Sequence, residues 1–137
     1  NIAVGETMSF LPGVMHLTQL HNEGAAFSIL VGQRWPLILL TFVYLAVVVI
    51  LIAKKVLRRR SELISLAVVT GGAIGNLIDR VLNGYVVDFF ATTFMNFAVF
   101  NVADCFVCVG AALFVIAVLR QELNAKKEQK AGTDENA

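Results

Sequence analysis

The sequence predicts a membrane all-α bundle with a small extracytoplasmic β element, and two observations support this fold class. Hydrophobic residues make up 58% of the 137 residues and charged residues only 15%, whereas a soluble domain carries about 25% charged residues. Three long stretches are almost free of charge, and the mean hydropathy is +0.76. The net charge of +1 provides no strongly basic surface, so soluble enzymes and nucleic-acid binders fit poorly.

The first predicted transmembrane helix covers residues 35–53, which carry no charge. As a helix, this stretch would extend about 28 Å, close to the thickness of the hydrocarbon layer. Trp35 suits a membrane interface and Pro36 suits the first turn of a helix. The basic loop that follows, residues 54–62, ends the span.

The second predicted helix covers residues 63–80, a shorter stretch whose only charges, Asp79 and Arg80, lie at its end. Gly71 and Gly75 form a G-x-x-x-G pair within it. Such a pair lets the backbone of another helix approach closely. We therefore expect these two glycines to face a neighbouring helix.

The third predicted helix covers residues 97–119 and would extend about 34 Å if fully helical. Asp104 is its only charge, and Asn101, three residues earlier, falls on the same face. Arg120 ends the span. The polar tail covers residues 120–137, and the part after Asn124 is expected to fray.

The distribution of cations predicts the orientation. The loop 54–62 and the tail 120–137 hold all but two of the eleven lysines and arginines. Because cytoplasmic loops of membrane proteins are enriched in these residues, both segments are expected in the cytoplasm. Residues 1–34 and the connection 81–96 then lie outside. An external N-terminus without an export signal predicts a further helix that precedes this chain.

The external segment 1–34 is predicted to form a β element. Turn signals at Pro12-Gly13 and Asn22-Glu23-Gly24 separate short apolar or alternating runs. In the external connection, Asn83-Gly84 is a strong turn signal, and residues 85–87 then run extended. The chain can therefore double back toward the bilayer and bring Asp88 with it.

Asp88 and Asp104 are the candidate catalytic residues. A carboxylate within an apolar helix costs about 2.5–3.5 kcal/mol, which makes Asp104 a functional candidate. Asp88 lies between Val87 and two phenylalanines, an unusual place for a solvated charge. Two carboxylates that share a site of low dielectric cannot both ionise easily. Such a pair can activate water and protonate a leaving amine, as in aspartic proteases.

The other charged residues, the histidines and the cysteines are predicted to have structural rather than catalytic roles. Asp79 and Arg80 are interpreted as an interfacial pair rather than as catalysts, and His16 and His21 lack a third metal ligand at suitable spacing. Serine–lysine catalysis does not fit, because every lysine is predicted to be cytoplasmic. The two cysteines, at positions 105 and 108, are interpreted as small, buried and reduced side chains. No metal or other cofactor is predicted.

Four segments, taken together, resemble lipoprotein signal peptidase (signal peptidase II). They are residues 22–28 (NEGAAFS), 71–80 (GGAIGNLIDR), 84–89 (GYVVDF) and 100–104 (FNVAD). The resemblance extends from about residue 17 to residue 119, and the combination of the four segments in this order is highly specific.

The resemblance implies an aspartyl endopeptidase of the bacterial inner membrane that needs no metal. The family cleaves prolipoproteins before a diacylglyceryl-modified Cys at the outer boundary of the bilayer, and globomycin inhibits it. Asp88 and Asp104 match the catalytic pair. The positions that line or support the site in the family correspond here to Asn22, Gly24, Asn76, Arg80 and Asn101.

The resemblance also implies four membrane helices, of which this sequence predicts three. We therefore expect the first helix to be missing from this chain or supplied separately, and the activity of the chain alone to depend on it. Two alternatives use the same carboxylates without proteolysis. One is a subunit whose polar groups bind helices together, and the other is a proton-relay component of a transporter.

Overall fold

The computed structural model describes residues 2–24 and 30–134. Its elements are strands β1 (Thr7–Leu11), β2 (Met15–Asn22) and β3 (Val86–Thr92), and helices α1 (Arg34–Ala53), α2 (Arg60–Leu82) and α3 (Val102–Asp134). In the described part of the chain, three helices are long and apolar enough to cross a membrane. The predicted fold class, a membrane helical bundle with a small β element, is therefore confirmed.

The three strands form one antiparallel sheet in the order β1-β2-β3. A tight turn at residues 12–14 joins β1 to β2, and the Val14 amide donates to the Leu11 carbonyl at 3.0 Å. Strand β3 comes from the connection between α2 and α3 and pairs with β2 on both sides of a register shift between Leu17 and Leu20. The sheet thus joins the N-terminal segment to the end of the bundle at which α2 ends and α3 begins.

A glycine C-cap ends α2 and starts the path to β3. The amide of Gly84 donates to the Arg80 carbonyl at 3.2 Å, and Gly84 has a φ of +87°. Glycine adopts this left-handed conformation without strain, so it commonly follows the last turn of a helix. The chain can therefore reverse immediately and enter β3 beside the end of α2.

Helix α2 packs most closely against α3, and glycines make this possible. A Cβ on Gly72 would overlap the carbonyl oxygen of Ala103 and lie 2.8 Å from Cγ2 of Val107. A Cβ on Gly110 would lie 2.8 Å from the amide nitrogen of Val69. The expectation for Gly71 is wrong, because a Cβ there would meet nothing within 4 Å.

The rotation of α2 explains this correction. Val69 and Gly72 face α3, and the residue one turn after Gly72 is Asn76. Gly75 is on the edge of this face, where its Cβ would lie 3.3 Å from Cβ of Ala103. The face that packs the helices together therefore also directs Asn76 toward the start of α3.

Helix α3 differs from its predicted extent at both ends. It begins at Val102 rather than at residue 97, because the backbone of Phe100 still pairs with Phe90 of β3. It continues to Asp134 rather than ending at residue 119 and fraying after Asn124, since the tail is rich in alanine, lysine and glutamate, which favour helix. Asp104 consequently lies in the first turn of α3.

Most large apolar side chains of the helices point away from the bundle. In α1, only Leu37, Ile38 and Val48 are buried, whereas Leu39 and Leu40 are 65% and 64% exposed. An exposed apolar surface of this extent needs a partner. Lipid provides it for a helix that crosses a membrane, so the fold is that of a multi-pass membrane protein.

Candidate active site

Asp104 is held by the N-terminus of α3. Its Oδ2 accepts a hydrogen bond from the backbone amide of Asn101 at 3.1 Å. In return, the Asp104 amide donates to Oδ1 of Asn101 at 2.9 Å. These reciprocal bonds form a capping box, and the positive end of the helix dipole favours a negative side chain at this position.

The second oxygen of Asp104 is held from α2. Nδ2 of Asn76 donates to Oδ1 of Asp104 at 2.8 Å. Oδ1 of Asn76 accepts in turn from Nδ2 of Asn101 at 3.0 Å. Because Asn76 lies on the face of α2 that packs against α3, close packing of these helices brings its amide to the carboxylate.

Asp88 lies on β3 with its side chain 1% exposed. Asn22, the last residue of β2, donates from Nδ2 to Oδ2 of Asp88 at 2.8 Å. The opposite oxygen, Oδ1, accepts from Nδ2 of Asn101 at 2.8 Å. Val86 and Asp88 are both buried, because side chains two residues apart on a strand share a face.

Asn101 connects the two carboxylates. Its side-chain amide donates to Asp88 and its backbone amide donates to Asp104. Asn101 is itself only 5% exposed. All four carboxylate oxygens therefore accept a hydrogen bond from a neutral amide, and in the described part of the chain none of these donors is a cation.

The environment of Asp88 favours its protonated form. Burial raises the pKa of Asp88, and the hydrogen bonds from Asn22 and Asn101 oppose this shift because they stabilise the carboxylate. The negative charge of Asp104 raises the pKa further, whereas the positive charge of Arg80 lowers it. Burial is the largest contribution, so the pKa of Asp88 lies above its ordinary value.

Arg80 anchors the segment that carries Asn22. Nη2 of Arg80 donates to the Gly24 carbonyl at 2.9 Å, and Nη1 donates to the Asn76 carbonyl at 3.4 Å. The Gly24 amide donates to Oδ1 of Asn22 at 2.9 Å. Among the described residues, the buried Nε of Arg80 has no hydrogen-bond partner. Arg80 therefore links the end of α2 to the end of β2.

The structure brings together every residue predicted for the site. Hydrogen bonds connect Asp88, Asp104, Asn22, Gly24, Asn76, Arg80 and Asn101 in one network. Residues 25–28, which belong to the first motif, lie outside the described residues. Oδ2 of Asp79 accepts a hydrogen bond from the Val87 amide at 3.4 Å and so contacts the start of β3.

The capping box is a feature that the sequence interpretation missed. Asn101 and Asp104 have the spacing of such a box, an N-cap residue followed three positions later by an acidic residue. The apolar residues 97–100 concealed this signal, because they extend the hydrophobic stretch without being helical. With the box recognised, the start of α3 at Val102 follows from the sequence.

A cavity of about 440 Å³ opens onto both carboxylates. The polar side chains of the network border one end of this cavity. The remaining lining is mainly apolar and comes from residues 97–100, which precede α3, and from four residues of α3: Cys105, Val107, Cys108 and Val109. The cavity therefore joins a polar site to an apolar surface of the membrane bundle.

The surroundings of the cysteines and of His21 differ from those of metal ligands. Cys105 is half-buried and Cys108 exposed, so the expectation that both are buried is wrong. Both line the cavity beside α3. His21 stacks on Tyr85 with ring centroids 3.9 Å apart. In the described ranges, no three His, Cys, Asp or Glu residues are grouped for a metal.

Comparison with known proteins gives consistent matches. The signal peptidase (SPase) II family matches residues 1–120. A lipoprotein signal peptidase of Halalkalibacterium halodurans is 41% identical over 133 residues, which cover 96% of this chain and 85% of that protein. One from Enterococcus faecalis is 43% identical over 134 residues, with coverages of 98% and 83%. A solved bacterial membrane enzyme has a TM-score of 0.83 at 32% identity, covering 89% of this chain and 76% of its own.

These matches extend over the helices, the sheet and the carboxylate network described above. They agree with the resemblance based on the four motifs, and they do not favour a transporter component or a non-enzymatic subunit. The chain belongs to the signal peptidase II family, whose members are membrane aspartic endopeptidases that process prolipoproteins.

Proposed function

We propose that Asp88 and Asp104 are the catalytic pair and that they cleave prolipoproteins before a diacylglyceryl-modified Cys. The observation that supports this proposal is the shared contact with Asn101, which places both carboxylates at the polar end of one cavity. The apolar part of that cavity suits the membrane segment and the acyl chains of the substrate. Globomycin-type inhibitors would occupy the same space.

In the proposed mechanism, Asp88 begins protonated and Asp104 begins as a carboxylate. Burial and the neighbouring charge raise the pKa of Asp88 and so favour the proton on Asp88, whereas Asp104 accepts hydrogen bonds from the Asn101 backbone amide and from Asn76. Asp104 takes a proton from water as the water oxygen bonds to the scissile carbonyl carbon. Asp88 donates its proton to the carbonyl oxygen, and the product of this step is a neutral diol.

The collapse of the diol completes the reaction. Asp104 returns its proton to the leaving nitrogen as the carbon–nitrogen bond breaks, and a hydroxyl of the diol returns a proton to Asp88. The pair ends in its starting protonation state, as general acid–base catalysis requires. Arg80 lines the cavity, and its Nη2 holds the Gly24 carbonyl beside the pair.

We further propose that the chain lies in the bacterial inner membrane with its site facing outward. The basic loop at residues 54–60 and the basic residues of 120–130 lie at one end of the helices, and the sheet lies at the other. Since cytoplasmic segments are enriched in lysine and arginine, the sheet and both carboxylates belong to the external side.

Turnover of a diacylglyceryl-modified precursor peptide by purified variants tests the catalytic assignment. Asp88→Asn and Asp104→Asn should each lower turnover by about 10²–10⁴-fold. The double variant should lose no more than either single one, because the two residues act as a unit. Asp79→Asn is the matched control and should lower turnover less. Near-normal turnover by either dyad variant, in a folded protein, would contradict the proposal.

A further inference from the structure

Two adjoining cavities meet beside Asp88. The first is the catalytic cavity of about 440 Å³ described above. The second has a volume of about 300 Å³ and is lined by residues 20–23, Val31 and residues 98–99; we call it the exit groove. Asn22, Ala98 and Val99 line both cavities. Because Asn22 also donates to Asp88, the boundary between the cavities lies at the catalytic pair.

The two cavities lie at different depths in the fold. The catalytic cavity is lined in part by α2 and α3, down to Val109. All residues that line the exit groove lie outside the three helices, since α1 begins at Arg34 and α3 begins at Val102. A chain that passes from the first cavity to the second therefore leaves the membrane-spanning part of the bundle as it crosses the carboxylates.

The chemistry of the linings follows the same division. The catalytic cavity has an apolar wall along α3, whereas the exit groove adds His21 and Glu23 to the shared Asn22; its other lining residues, Leu20, Val31, Ala98 and Val99, are apolar. A prolipoprotein has a matching division, since its signal segment and the acyl chains of the modified Cys are apolar and a water-soluble polypeptide follows that Cys. The crossing point between the cavities is the place where such a substrate changes from apolar to polar.

On the basis of the proposed function, we propose that the exit groove holds the residues that follow the modified Cys and that Glu23 makes it selective for basic residues there. The backbone on both sides of Glu23 is held in place. The Gly24 amide donates to Asn22, and Arg80 donates to the Gly24 carbonyl. The backbone from which the exposed Glu23 side chain extends on the wall of the groove is therefore held in place.

The expected selectivity is modest. Glu23 is exposed, and an ion pair in contact with water contributes little. Arg34 also lies near Glu23, on the wall of a third cavity that Glu23 lines, and its positive charge weakens the field of the carboxylate. A change of about two- to fivefold in kcat/KM is the size that such a pair supports.

The test uses two lipidated precursor peptides that differ only at the second and third positions after the modified Cys. One peptide has Lys-Lys at these positions and the other has Glu-Glu. The unmodified chain should cleave the lysine peptide about two- to fivefold more efficiently at low salt, and added salt should reduce the difference. Glu23→Gln should remove the preference, and Glu23→Lys should reverse it. Glu122→Lys makes the same charge change about 27 Å along α3 from Asp104 and should leave the preference intact.

Binding separates this inference from the catalytic proposal. The Asp104→Asn variant should bind the lysine peptide more tightly than the glutamate peptide, and the additional change Glu23→Lys should reverse that order. Equal dissociation constants for the two peptides would overturn the inference and leave the catalytic assignment untouched. A clear binding preference without any cleavage by the unmodified chain would support the groove and count against the proposed catalysis.

Discussion

Asn101 and Asp104 cap each other at the start of α3, through hydrogen bonds of 3.1 and 2.9 Å. The capping box begins the helix at the point where its first turn can present a carboxylate to the cavity. It also leaves the Asn101 side-chain amide free to reach Asp88, because the cap uses only the oxygen of that side chain. One residue thus determines where the helix begins and how far apart the two carboxylates lie.

Replacing Asn101 separates these two roles. Asn101→Ser keeps a good N-cap oxygen but removes the amide that donates to Asp88 and Asn76. We expect this variant to keep the helix cap, to lose about 1–3 kcal/mol of stability because the buried Asp88 and the half-buried Asn76 lose their donor, and to lose most of its turnover. Asn101→Ala also removes the cap and should cost about 1 kcal/mol of stability in addition. Thermal unfolding in detergent and turnover, measured on both variants, test the separation.

The serine variant provides the decisive comparison. If Asn101 acts only as a cap, the serine variant should retain near-normal turnover while the alanine variant loses it. That result would contradict the positioning role given to the side-chain amide.

Asn22 should influence the pH dependence of cleavage through Asp88. Its hydrogen bond stabilises the carboxylate and so lowers the pKa of Asp88 against the effect of burial. Asn22→Leu keeps the size of the side chain and removes the donor, so the pKa of Asp88 should rise. Since Asp88 must carry a proton at the start of the reaction, the alkaline limb of the pH profile should move to higher pH.

A profile of kcat/KM against pH for the precursor peptide measures this shift. Gln19→Leu makes the same change three positions earlier in the chain, also on β2, where the side chain contacts His21 rather than a carboxylate. It should leave the limb in place. An alkaline limb that moves to lower pH in Asn22→Leu would show that Asp88 is not the group that carries the proton.

The sequence alone identified the two carboxylates, because a charge in an apolar stretch and one beside two phenylalanines are both unusual. Cation counting and the turn at Asn83-Gly84 placed both at the same end of the bundle. The supporting asparagines came from the resemblance to a family, since an isolated asparagine gives no signal of its own. The structure then connected all of them by hydrogen bonds.

Two features depended on tertiary contacts that hydropathy does not record. Residues 97–100 are apolar, yet they run beside β3 because Phe100 pairs with Phe90. The helical pattern of α2 allowed either Gly71 or Gly72 to face a neighbour, and the packing of α3 selects Gly72. A hydrophobic stretch predicts that a segment is buried or in lipid. The residues at which its helix begins and ends, and the face that the helix turns toward its neighbour, depend on the element that packs against it.

Labelling from outside the membrane tests the proposed orientation. In a chain with Cys105→Ala and Cys108→Ala, a single new cysteine replaces either Glu6 or Arg59, both of which are exposed. An impermeant thiol reagent added to right-side-out vesicles should label the cysteine at position 6 and spare the one at position 59. Labelling at position 59 before the vesicles are opened would contradict the orientation.

Among the glycines of α2, Gly72 should be the one whose replacement destabilises the packing against α3 most. A Cβ at Gly72 would meet the Ala103 carbonyl and Val107, so Gly72→Ala should push α3 away and cost about 1–3 kcal/mol of stability. Turnover should fall as well, because Asn76 lies on the same face and would move away from Asp104.

Gly71→Ala is the matched control, since it adds a methyl group where nothing lies within 4 Å and gains up to about 1 kcal/mol of helix propensity. Thermal unfolding in detergent compares the two variants, and equal losses would show that this face of α2 does not determine the packing against α3.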